Sequence, residues 1–303
     1  MNKKKYNILI VITLIILLIW TLMAAGSYMK ETTRTYKHTV ELHEECLSQS
    51  PEKVKEAQDA GNPFCFPMSE KYYVVNFFST LNEVLFWKMP NATYVFFFVV
   101  IGLSLYYTSR YLKYNILSLE LTRNSYKKVK RDFFWQAYKP VLVIVAVIAV
   151  LFIISLLYFK AGLFIAPEYR DQGWSEFYYN YPIIFMIMYL LNVVMHMIVF
   201  INLSLIVVRK NQNYIADVIL TILLFLGLEI FVEVVVEWFI GYILLKKEMS
   251  LMFNLLHYLA FNDERGIFSP FIAPSLFLVI TGVMLHYLYK DKEKLVIDCE
   301  KNN

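Results

Sequence analysis

Three glutamates, Glu229, Glu233 and Glu237, recur at a spacing of four inside the apolar run Leu228–Trp238. On a helix that spacing sets them along one face. Ionisable groups at membrane depth are costly and face a cavity or a partner, so the set reads as a polar stripe lining a path. Geometry narrows it. A span that starts near Tyr214 reaches the far boundary near Val234 after about 20 residues. Glu233 and Glu237 then fall at or beyond the interface, and Glu229 remains inside. Asn192 and His196 share a face by the same spacing. His196 could titrate or bind a substrate, and the pair could equally hydrogen-bond between helices. The methionines around it, Met186, Met188, Met195 and Met197, read as adaptable packing.

Other chemistries lack their residues. No Gly-x-x-x-x-Gly-Lys-Ser/Thr occurs, so a triphosphate has no P-loop cradle. The five histidines form no His-Glu-x-x-His, and no Cys-x-x-Cys is present. A metal site and a Gly-x-Ser-x-Gly nucleophile elbow are therefore not expected, and no catalytic residue is assigned. Cys46 and Cys65 share one polar region, with Gly61 and Pro63 between them to turn the chain, while Cys299 lies in the tail. A disulfide between Cys46 and Cys65 and a pair of free thiols both remain open at this point.

The elements that carry these residues follow from composition. The chain has 303 residues, 58% hydrophobic, 17% aromatic and 18% charged, with a mean hydropathy of +0.50. A soluble domain is about 45–50% apolar and about 25% charged. The excess has no place on a soluble surface, so the expected fold class is an all-α polytopic membrane protein. Apolar runs predict six spans at about 8–27, 92–109, 140–159, 182–208, 214–240 and 268–289. The first follows Lys3–Lys5 and exceeds the core of a secretory signal, so it reads as a retained helix. Residues 72–88 mix charges and aromatics and read as an interfacial helix broken by Pro90.

Seventeen of the 29 Lys and Arg residues fall on one side if both termini lie in the cytoplasm, eight of them in 110–139. The positive-inside rule then fixes the orientation. Residues 30–90 become one sizeable extracytoplasmic region and 110–139 a cytoplasmic connection. The formal charge of +4 gives nucleic acid no footprint. The expected location is the cell membrane, in contact with lipid.

The basic connection carries the most distinctive text. Apolar Ile116, Leu117, Leu119 and Leu121 precede Arg123, and a Lys cluster then runs into Phe133, Phe134 and Trp135. This predicts short helices with a shaped surface. With its six helices, the chain resembles the permease subunit of a type-2 ABC exporter. That family carries an acid, an Arg-x-Ser-like turn and lysines leading into its third helix; here these read Glu120, Arg123, Ser125, Lys127 and Lys130. The resemblance implies that these five residues couple to a separate cytoplasmic ATPase subunit. It implies a second permease subunit, the same or similar, to complete the path. It also implies no cofactor in this chain, with ATP and Mg on the partner. Peptide-like or lipid-like cargo would leave the cell, with Asn192, His196, Glu229 and Glu233 as candidate path residues. A membrane sensor or immunity protein that binds a ligand through residues 30–90 stands as the alternative.

Overall fold

The computed structural model describes residues 3–62, 65, 83–89, 91–113, 116–158, 181–244, 269–293 and 295–296. Every regular element among them is a helix. Six are long and apolar enough to cross a membrane: Lys3–Arg34, Ala92–Lys113, Tyr126–Ile154, Ile183–Asn211, Tyr214–Val235 and Pro270–Leu288. Most of the interfacial segment 72–88, Pro90, Cys299 and the stretches 160–180 and 246–267 lie outside the described residues.

The first span belongs to α1, Lys3–Leu47, a helix of 45 residues. At about 1.5 Å per residue, it is about twice as long as a hydrocarbon core requires. Its later turns carry the charged residues Glu31 to Glu45. α2, Pro51–Asp59, follows with Pro at its first turn, where a missing N–H costs nothing. Then come α3 (Ala92–Lys113), α4 (Ile116–Leu121), α5 (Tyr126–Tyr158), α6 (Pro182–Asn211), α7 (Tyr214–Phe231) and α8 (Ser269–Leu288). A π-helical segment, Val232–Leu244, continues α7.

α5 extends the helix of the third apolar run beyond the expected start of that run at about 140. The helix begins fourteen residues earlier and carries Pro140 in its interior. An interior proline removes the bond to the carbonyl four residues back, here that of Gln136. The Tyr6 hydroxyl donates to that carbonyl at 3.1 Å, and Tyr6 is fully buried. A donor from α1 thus satisfies the acceptor that Pro140 frees.

The chain divides into two compact units. The first comprises residues 1–17, 91–148 and 173–303; the second comprises 18–90 and 149–172. In the first, α6 packs against α3, α7 and α8, and α3 also meets α7. Phe97, Phe200 and Phe225 bring α3, α6 and α7 together, with ring centroids 4.6–5.3 Å apart. That separation suits edge-on aromatic attraction. The outward faces are apolar, with Ile219, Leu223 and Ile230 exposed on α7 and Leu276, Val279 and Val283 on α8. Such faces suit lipid. A polar relay also links three helices: Tyr138 of α5 donates to Asn202 of α6, which donates to Thr281 of α8 at 2.9 Å. In the second unit, Cys46 and Cys65 form a disulfide, their Cα atoms 5.5 Å apart. Gln58 donates to the Cys65 carbonyl at 2.6 Å, and Lys88 pairs with Glu31.

Candidate functional site

The five residues of the basic connection fall into two groups. α4 has six residues and ends at Leu121, because the carbonyl of Glu120 takes the amides of Arg123 and Asn124 in a turn. Arg123 is thus outside the helix, and the spacing of three does not set it on one helical face with Glu120. Glu120 turns inward instead. It accepts from the Tyr111 hydroxyl at 2.6 Å and lies 3.5 Å from the Lys3 ammonium. Leu117, one turn before the helix ends, is buried. Arg123, Ser125 and Lys127 are exposed. The Ser125 carbonyl accepts from the amides of Lys128 and Val129 and so starts α5.

Lys130 also turns inward. Its ammonium donates to the Tyr289 carbonyl at 2.8 Å, and the Tyr126 hydroxyl donates to the same oxygen at 2.6 Å. Arg209 donates to the Leu288 carbonyl at 3.3 Å. These carbonyls close α8, where the last turn leaves acceptors unmatched and the helix dipole favours cations. The Tyr289 hydroxyl donates back to the Leu205 carbonyl at 2.9 Å. Its ring packs between Phe133 and Phe134, with centroids 5.8 and 5.3 Å away. The start of α5 and the ends of α6 and α8 are thereby tied together. α1 and α3 join through Lys3, Tyr6, Glu120 and Tyr111. What remains exposed is Leu119, at 62%, and after it in the chain Arg123, Lys127, Lys128 and Arg131, which make up a basic plate.

The candidate path residues are not brought together as one stripe. Asn192 and His196 are buried, and His196 Nδ1 lies 2.9 Å from the Asn192 carbonyl, one turn back on its own helix. Glu229 is buried and Glu233 is exposed. The buried stripe of α7 runs the other way: Asp217, Thr221, Phe225 and Glu229, each four residues from the next. At Val232 the helix becomes π-helical, with five residues to the repeat in place of four. A spacing of four overshoots the 3.6-residue turn by about 40° a step, so Val232, three residues past Glu229, is buried while Glu233 is exposed. The backbone of Glu237 belongs to the same π segment.

Sequence reasoning missed Asp217, Thr221, Tyr6 and Tyr289. For the first two the signal was available, since they stand four apart and extend the spacing of Glu229 backwards. Among the described residues no group of three His, Cys, Asp or Glu could hold a metal ion. No protein-family model, curated protein or solved structure matches the chain.

Proposed function

We propose that the chain is the membrane permease subunit of an ATP-driven exporter whose motor is a separate cytoplasmic ATPase subunit carrying ATP and Mg. Both termini and the basic connection face the cytoplasm, where the Lys and Arg excess belongs. A second permease subunit, identical or similar, completes the path, and peptide-like or lipid-like cargo leaves through it. The observation that carries this reading is the basic plate. Arg123, Lys127 and Leu119 are all exposed within one short stretch of chain. Beneath them Glu120 and Lys130 bond inward to α1, α3 and the end of α8. A push on the plate would therefore move the spanning helices directly, as coupling to a motor demands. The lever is α4 and the turn that follows it. No catalytic residue is needed in this chain.

The test uses the surface pair and spares the internal one. Arg123→Glu combined with Lys127→Glu reverses two exposed charges, which costs stability about 0.5 kcal/mol or less each. Wrong-sign charges against a fixed partner cost several kcal/mol. Tagged chain purified in mild detergent should retain the ATPase encoded in the adjacent gene. The double variant should express normally and lose that ATPase together with its substrate-stimulated hydrolysis. Equal retention by native chain and variant would refute the coupling role. A native chain that retains no ATPase would favour the sensor reading, which draws on the disulfide-stapled region Cys46–Cys65.

A further inference from the structure

We propose that α3, α6 and α7 enclose a binding site for a hard monovalent cation, sodium or potassium, with the Asp217 carboxylate as its charged ligand. The site lies two turns from the Phe97–Phe200–Phe225 layer. The ring pairs Phe97–Phe225 (4.6 Å) and Tyr106–Tyr214 (6.0 Å) fix α3 and α7 as antiparallel, since one number falls as the other rises. In that register Ser104, seven residues from Phe97 and so on the same face of α3, stands opposite Asp217. Thr221 lies between Asp217 and Phe225 on the buried stripe of α7. Ser204 follows Phe200 by one turn on α6, its hydroxyl donating to the Phe200 carbonyl at 2.9 Å. Its oxygen keeps lone pairs for a further ligand.

Asp217, Thr221, Ser104 and Ser204 are all 0% exposed. Both carboxylate oxygens of Asp217 and the hydroxyl oxygens of Thr221 and Ser104 have no hydrogen-bond partner among the described residues. The Asn211 side chain approaches the carboxylate as a neutral donor, which brings no charge to balance it. Arg110 donates to the Tyr106 hydroxyl at 2.9 Å, and Arg209 donates to the end of α8. Attraction to the positive end of the α7 dipole is too weak to offset a buried, unpaired carboxylate.

The donor set identifies the ligand. One carboxylate and three hydroxyl oxygens are hard ligands, and transition metals prefer nitrogen and sulfur. A single negative charge is neutralised by a monovalent ion. The helix spacing gathers these oxygens without help from the basic plate, so the proposal does not depend on an ATPase partner.

The test measures thermal unfolding of the purified full chain in detergent, in sodium, potassium or choline chloride at equal ionic strength. Choline cannot enter a site of this kind. One alkali chloride should raise the midpoint above choline chloride. At ten times the dissociation constant, the folded-to-unfolded ratio should rise about elevenfold. Asp217→Asn should abolish that difference. Thr221→Ala, which keeps the charge and removes one neutral ligand, should move the response to higher salt, and it serves where Asp217→Asn does not fold. Equal midpoints in all three salts for the native chain would overturn the proposal, leaving buried water or a proton as what satisfies these oxygens. An undiminished response in both variants would overturn it as well.

Discussion

Pro140 and Tyr6 form a linked pair that can be taken apart. Tyr6→Phe deletes one hydroxyl and keeps the ring, which packs 5.0 Å from that of Tyr107. The loss therefore falls on the Gln136 carbonyl, which Pro140 has deprived of its helical donor. An acceptor left unsatisfied in a buried position costs about 1–3 kcal/mol. Pro140→Ala restores an N–H four residues beyond Gln136 and closes the helical bond. In that background Tyr6→Phe should cost far less, because the carbonyl already has a partner. The coupling between the two substitutions should fall within the range of about 0.5–3 kcal/mol for residues sharing one network. Thermal unfolding of all four chains in the same detergent closes the cycle. At about 2 °C per kcal/mol for a chain of this size, Tyr6→Phe alone should lower the midpoint by about 2–6 °C. A cost that is equal in the two backgrounds, or absent in the native one, would refute the reasoning. Tyr6 would then be packing alone, and the kinked carbonyl would have found another donor.

Two further outcomes are expected. Lys130→Met removes a charged donor from the Tyr289 carbonyl, a class of bond worth about 1.5–3 kcal/mol, and should destabilise the detergent-purified chain. Lys127→Met, on the exposed side of the same turn, should change stability by about 0.5 kcal/mol or less; equal effects would erase the division between plate and anchor. Cys46 and Cys65 should resist alkylation until a reductant is added, by mass spectrometry of the unreduced protein. Their separation of 19 residues implies that opening the bridge costs about 3 kcal/mol, and labelling of both thiols without reductant would contradict it.

The six spans were legible because an apolar run of about 20 residues can do little else. What the runs could not disclose is where each helix starts and stops. Pro140 reads as a start signal, since proline favours the first turn of a helix. It sits instead inside α5 because Tyr6, 130 residues away, supplies the missing hydrogen bond, and no local pattern carries that information. Glu120 and Arg123 look like a helical ion pair only while the helix is assumed to continue. α4 ends at Leu121, and Tyr111 and Lys3 take the acid. The basic stretch was therefore legible as text, while its division into exposed and inward-turned side chains was not. α7 is the most instructive case. A spacing of four from Asp217 to Glu237 is unbroken in the sequence, yet only Asp217 to Glu229 form the buried stripe of α7. A spacing of four drifts by about 40° a step around a helix of 3.6 residues per turn, and by Glu233 it has left the buried side. The length of the span had already set Glu233 apart from Glu229, and Glu233 is exposed where Glu229 is buried. The same drift ends the buried stripe at Glu229. Within the stripe, the fully buried acid is the one nearest the start of the helix. That end also carries the basic turn Arg209–Lys210, beside which an acid draws no notice in the sequence. Its environment became visible only when α3 was placed against it.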